Sequence, residues 1–210
     1  MIDAVNADAP MSFAEELRVQ RWDDHRYYHQ SRINQSLHFL SACTFLVVYV
    51  LIPFEPAIAA VLGWVVAMWV RQIGHFFFEP RGFDKVNNVS FEEKENIKVG
   101  FNLNRKVALL AVWLAVPALV WFDSSIFGLL DPVVSRDAFF DRIGWGWIGL
   151  AFAGLLARTF WLMATRNVQT GAVWFTKIVT DPFNDIKTYW KSPYYLAKGQ
   201  LLDPMDHVHS

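Results

Sequence analysis

The chain has 210 residues, 54% of them apolar and only 19% charged, with ten Trp, eighteen Phe and a net charge of −1. That balance sets it apart from ordinary soluble domains, and nothing in so even a charge points to nucleic acid as a partner. Cys43, the one cysteine, lies inside an apolar run and has no partner for an intramolecular disulfide.

Residues 1–36 are polar and contain Glu15, Glu16, Asp23 and Asp24, unlike a signal or transit peptide. Residues 12–30 read as a helical cytoplasmic lead-in. Four apolar stretches follow, at residues 37–54, 57–78, 107–122 and 143–164. Each approaches the roughly 20 residues that a bilayer demands, the first and third being short. Trp64, Trp69, Trp113, Trp121, Trp145, Trp147 and Trp161 are scattered through the last three, several near the ends, where amphipathic rings prefer to sit.

Orientation follows from the basic residues. The connection between the first two stretches has none, whereas the 79–106 loop carries Arg81, Lys85, Lys94, Lys98, Arg105 and Lys106. The N-terminal segment and the tail are also rich in Lys and Arg, so the positive-inside bias places both termini and this loop in the cytoplasm. Within the loop, Ser90 followed by Glu93 is a capping-box pattern, predicting a helix from about Phe91 towards Asn104 along the membrane surface. The tail, residues 165–210, mixes aromatics with lysines as an interfacial segment does, divided by Pro182 and Pro193. The expected fold is therefore all-α: one polytopic membrane domain, 1–210, with four transmembrane helices over 37–164, amphipathic interfacial helices and both termini cytoplasmic.

The histidines stand out against this background. His38 enters the first span from the cytoplasm and His75 leaves the second, while His25 and His29 reach the same rim from the N-terminal segment. Neutral imidazole is a common metal ligand, and such convergence is how helical bundles build metal sites. On a continuous helix His29 and His38, nine residues apart, would lie about 13 Å from each other on opposite faces. A shared ion therefore requires a bend, for which Ser31, Arg32 and Asn34 are the candidates. The competing reading is that each histidine merely bonds a headgroup, a carbonyl or water. Arg71, inside an apolar run, either snorkels to the surface or holds the carboxylate of an acidic lipid beside the metal. His207 and His209, in the tail "DPMDHVHS", are assigned no role.

Two stretches carry a family resemblance. "YHQSRINQSLH" is similar to the first motif of the membrane-bound 2-hydroxy fatty acid alpha-dioxygenases, endoplasmic-reticulum enzymes with bacterial relatives. "RQIGHFFFEPR" resembles their second motif, a Gly-His followed by Phe-Glu and a basic residue. The match takes in Tyr28, His29, Asn34, His38, Gln72, Gly74, His75, Phe78, Glu79 and Arg81. The chain departs from the pattern at Ser31-Arg32, where Asn-Pro is frequent, at Gln30, where a second histidine can follow, and at "GFDKV", which replaces a Pro-Ala-Leu stretch.

The resemblance implies an integral protein of a bacterial inner membrane or the endoplasmic reticulum, with its active site on the cytoplasmic side. It further implies an Fe2+ enzyme that uses O2 to shorten a 2-hydroxy fatty acid by one carbon. His29, His38 and His75 are the expected metal ligands, with His25 a fourth candidate. Glu79 is either a further ligand or a partner orienting His75, and Arg71 the substrate-facing cation. Zn2+ as the metal, a haem b held between His38 and His75 for electron transfer, another metal-dependent lipid enzyme and a non-catalytic lipid-binding scaffold remain as alternatives.

Overall fold

In the computed structural model, the structure describes residues 11–97 and 103–205. Their regular elements are all helices, without strands. In chain order the helices are α1 (Phe13–Tyr28), α2 (Arg32–Leu51), α3 (Pro56–Phe78), α4 (Phe91–Ile97), α5 (Leu103–Phe122), α6 (Arg136–Thr165), α7 (Val168–Tyr189) and α8 (Ser192–Ala197).

Local chemistry sets most of these boundaries. Side chains of Ser12, Ser31, Ser135 and Asn167 each accept a backbone N–H three residues on, capping α1, α2, α6 and α7. Pro56 occupies the first turn of α3, where its missing N–H costs nothing. The expected capping box ahead of α4 is present: Ser90 Oγ accepts from Glu93 N, and Ser90 N donates to the Glu93 carboxylate at 2.8 Å. The part of that helix expected over residues 98–102 falls outside the described residues, as do His207 and His209.

Among the described residues, three helices are long and apolar enough to cross a membrane: Arg32–Leu51, Pro56–Phe78 and Arg136–Thr165. The fourth expected span, Val107–Phe122, is apolar but shorter. Leu40, Val47, Val50, Phe54, Val65, Phe152 and Phe160 point outward and are exposed, as lipid-facing residues must be. The interior is built from small residues and tryptophans. Ala42, Ala59 and Ala67 are fully buried, and Ser41 Oγ donates to the Ala67 carbonyl at 2.8 Å, bringing α2 against α3. Trp64 stacks on Trp113 with centroids 4.7 Å apart, and Trp147 Nε1 donates to the Trp113 carbonyl, tying α3, α5 and α6 together. Arg158, the other cation within an apolar run, lies over the Trp161 ring.

The tail differs from its expected form. Pro182 does not divide it but sits inside one continuous α7, and only Pro193 marks a helix start, in α8. Nor is α7 merely laid on a surface: it packs against α1, α2 and α6, burying Lys177, Asp181, Asp185 and Tyr189. Buried charges on a helix between three others have to meet partners there.

Candidate metal centre

The bend required between His29 and His38 exists. α1 stops at Tyr28, His29 caps it in a non-helical conformation, and α2 begins at Arg32 with Ser31 as its cap. Of the expected bend residues, Ser31 supplies the cap. Asn34 stabilises the bend from the first turn of α2, its amide donating to the Tyr28 carbonyl at 2.9 Å.

This reversal swings the His29 ring onto His38. Nε2 of His29 lies 3.3 Å from Nε2 of His38, and Nε2 of His38 lies 3.1 Å from Nε2 of His75. The three rings pack edge to face with centroids 4.1–5.0 Å apart, and one ligand atom from each lies within 4.8 Å of the others. His29 and His38 are each only 2% exposed. His75 reaches the cluster from the π-helical last turns of α3, Gly74–Phe78, whose wider winding turns its ring relative to an α-helical register.

The arrangement fits a single transition-metal ion. Metal–imidazole bonds of about 2.0–2.1 Å place neighbouring ligand nitrogens roughly 3.0–3.4 Å apart, and the two closest Nε2 pairs have that spacing. Nδ1 of His29 faces the Asp24 carbonyl at 3.0 Å, so its proton belongs there and Nε2 keeps a lone pair for the cluster. Burial holds His29 down to about 3, against the opposing charge of Asp24, so the ring is a neutral donor near pH 7. The packed rings leave no slot for a flat macrocycle between His38 and His75, so the geometry does not favour the haem alternative.

A charged layer backs the histidines. Asp185 of α7 pairs with Arg71 of α3, and both approach Nδ1 of His38, Asp185 at 3.5 Å and Arg71 Nε at 3.2 Å. Burial lifts Asp185 to about 7; the Arg71 guanidinium pulls the other way, and Asp181 and Asp24 add to the lift. Lys177 lies 3.5 Å from Asp24. The Tyr189 ring lies against His29 and His38, with centroids 5.5 and 6.2 Å away.

Two expected residues take places other than direct ligation. His25 is not part of the cluster: its Nδ1 pairs with the Tyr189 hydroxyl at 3.1 Å, and its Nε2 lies 3.8 Å from the Asp203 carboxylate. Glu79 does not continue the face of His75, because α3 ends at Phe78 and Glu79 is extended. Its carboxylate turns back to the bend, accepting from Asn34 Nδ2 at 2.6 Å, Gln30 N at 3.2 Å and Ser31 N at 3.3 Å. Burial raises Glu79 to about 7 even though the Asn34 bond lowers it.

Sequence reasoning missed Asp24, Asp185, Tyr189 and Asp203 as parts of this centre. The last three lie in the tail, read as membrane anchoring. The one available signal was the spacing Lys177, Asp181, Asp185 and Tyr189, successive fours on one helix face, which puts three charges and a phenol in a single stripe.

Residues 18–84 match the model of a family described as 2-hydroxy-palmitic acid dioxygenase Mpo1-like. The matched segment holds all three clustered histidines with Asn34, Arg71, Gly74 and Glu79, in agreement with the resemblance carried by the two histidine motifs. No curated protein and no solved structure matches the chain.

Proposed function

We propose that the protein is an iron(II)-dependent dioxygenase that uses O2 to remove one carbon from 2-hydroxy fatty acids. The observation that carries this reading is the convergence of three imidazoles, two buried and one half-buried, from three parts of the fold, inside the segment that matches a family described as 2-hydroxy-palmitic acid dioxygenase Mpo1-like. His29, His38 and His75 are the residues that would hold the ion. Iron(II) held by them would supply O2 activation. His25 and Glu79 act behind the ligands, Glu79 by fixing the bend that presents His29 and His25 by propping Tyr189 against it.

Arg71 is the cation beside the cluster and the residue we assign to the substrate carboxylate. Asp185 holds its guanidinium in place, and the apolar walls of α2 and α3 are where an acyl chain lies. Burial of the cluster keeps bulk water from the reacting carbon. For the membrane, the reading is four spans with both termini and the 79–106 loop cytoplasmic, and the metal at the depth of the inner leaflet. The apolar stretch Val107–Phe122 of α5 meets the bilayer thickness with help from its flanking residues.

The test is metal analysis of purified protein together with conversion of 2-hydroxypalmitic acid under O2, followed by mass spectrometry. Stoichiometric iron and a product one carbon shorter are expected. Absence of any stoichiometric metal rejects the metalloenzyme. A bound metal without conversion rejects the dioxygenase and leaves another metal-dependent lipid enzyme.

A further inference from the structure

Between residues 13 and 51 the sequence contains neither Gly nor Pro, yet the helix stops at Tyr28 and restarts at Arg32. Nothing local forbids a continuous helix, and a continuous helix would satisfy its own backbone while carrying His29 away from His38. The interruption therefore depends on partners that take up the backbone groups it frees.

Those partners come from three places. Glu79 receives the N–H groups of Gln30 and Ser31. Others are met by the segment after α8 and by α2 side chains that this segment holds. Arg32 N donates to the Leu201 carbonyl at 2.9 Å, and Asp203 N donates to the Gln30 carbonyl at 2.8 Å. The His29 carbonyl accepts from Gln35 Nε2 at 2.7 Å, and the same amide nitrogen donates to the Asp203 carboxylate, also at 2.7 Å. Arg32 Nη1 pairs with Asp203 at 3.0 Å and donates to Gln35 Oε1, which also accepts from Ser192 Oγ. Gln35 is fully buried, Ser192 is 1% exposed and Asp203 6%. The network grips the main chain on either side of His29.

We propose that Asp203 is a positioning residue for the metal centre, holding open the helix break that presents His29. The inference rests on the metal reading of the three histidines and extends it to a part of the chain beyond the matched family segment. The C-terminal segment is then a component of the site, since the ligand set assembles only when it is docked.

The test is Co2+ titration of the metal-free full chain in detergent, read from the cobalt d–d absorption, beside helical circular dichroism. Asp203→Ala is expected to weaken Co2+ binding about 10- to 100-fold, the range for a residue that supports a ligand from behind, with helix content retained. The decisive readout is rescue by Arg32→Pro in the Asp203→Ala background. Ser31 already has φ −79 and ψ 129, the conformation required before proline, and Arg32 is the first helical residue, where proline is favoured. Proline there breaks the helix without the C-terminal segment and removes the buried arginine that has lost its carboxylate partner in Asp203→Ala, so most of the lost affinity should return. Unchanged Co2+ affinity in Asp203→Ala, or a loss that Arg32→Pro does not recover, overturns the inference while leaving the metal centre standing. If the wild-type chain binds no Co2+, the metal reading fails first. Where Asp203→Ala does not yield folded protein, Asp203→Asn is carried through the same pair of measurements.

Discussion

Asn34 and Glu79 meet across the bend with an amide-to-carboxylate separation of 2.6 Å, and this pair ties the start of α2 to the end of α3. Asn34 uses its other N–H on the Tyr28 carbonyl, so one side chain joins the last residue of α1, the first turn of α2 and the residue after α3. It is fully buried, and it fits only because position 74 has no side chain: a Cβ built on Gly74 would collide with the Asn34 amide oxygen. The Gly-His pair of the second motif thus has a packing cause beside a histidine of the cluster.

Gly74→Ala is expected to destabilise the protein by about 1–3 kcal/mol, the usual cost of overpacking, and to weaken metal binding, because Asn34 has to move and takes the bend with it. Thermal unfolding and metal content of the variant check this. An unchanged midpoint would show that Asn34 has room that the structure denies it.

Glu79 predicts a pH signature. Its folded value, about 7, stands above its ordinary 4.5, so the folded chain holds the proton more tightly than the unfolded chain does. Its contribution to stability is therefore greatest below pH 4.5 and declines as pH rises to 7, by about 3 kcal/mol in all. Asp185 acts in the same direction over a similar window, and His29, held neutral by burial, acts in the opposite one. The difference between wild type and Glu79→Gln isolates the Glu79 part. In metal-free protein, Glu79→Gln should gain on wild type as pH rises from 5 to 7 and hold a constant margin above that. A margin independent of pH in unfolding scans contradicts the assignment.

The four rim histidines should separate into two classes. Alanine at His29, His38 or His75 removes one of three ligands and should abolish stoichiometric metal. His25→Ala leaves the ligand set intact but unseats Tyr189, so metal should still bind, about 10- to 100-fold more weakly. Elemental analysis after dialysis against a competing chelator distinguishes the classes, and His25→Ala behaving like the other three would make it a ligand.

The histidine cluster was legible because histidines at helix ends near an apolar boundary are conspicuous, and because the connection between α2 and α3, at residues 52–55, forces those helices side by side. The bend was legible as a necessity, and Ser31 as a means of making it. What closes around the site was not legible. Asp185 contacts Arg71, 114 positions earlier, and Gln35 contacts Asp203, 168 positions later. Such pairings leave no local periodicity. Aromatics and lysines near acids also describe an anchoring helix, and only the packing of α7 against α1, α2 and α6 shows which of its faces is buried. Pro182 misled for a related reason, since tertiary packing can hold a helix together across a proline that propensity alone would place at its end.

Asp84 and Lys94 support a last prediction, on the loop that leads away from the site. Lys94 Nζ lies 3.1 Å from the Asp84 carboxylate, and both residues are 4% exposed. The same carboxylate accepts from Gln30 Nε2 at 2.7 Å and Asn87 Nδ2 at 2.8 Å, so it links the 84–94 loop to the residue after His29. Burial works against this charge, but the Asn87 bonds and Lys94 outweigh it and hold Asp84 below its usual value. Asp84→Ala strands a buried ammonium and should cost about 3–5 kcal/mol. Asp84→Leu combined with Lys94→Met removes both charges and should cost much less, because no uncompensated ion is left behind. The pair of denaturation midpoints decides the matter: if the double variant is as unstable as Asp84→Ala, the loss comes from the Gln30 and Asn87 bonds, and the loop is held by those hydrogen bonds rather than by the ion pair.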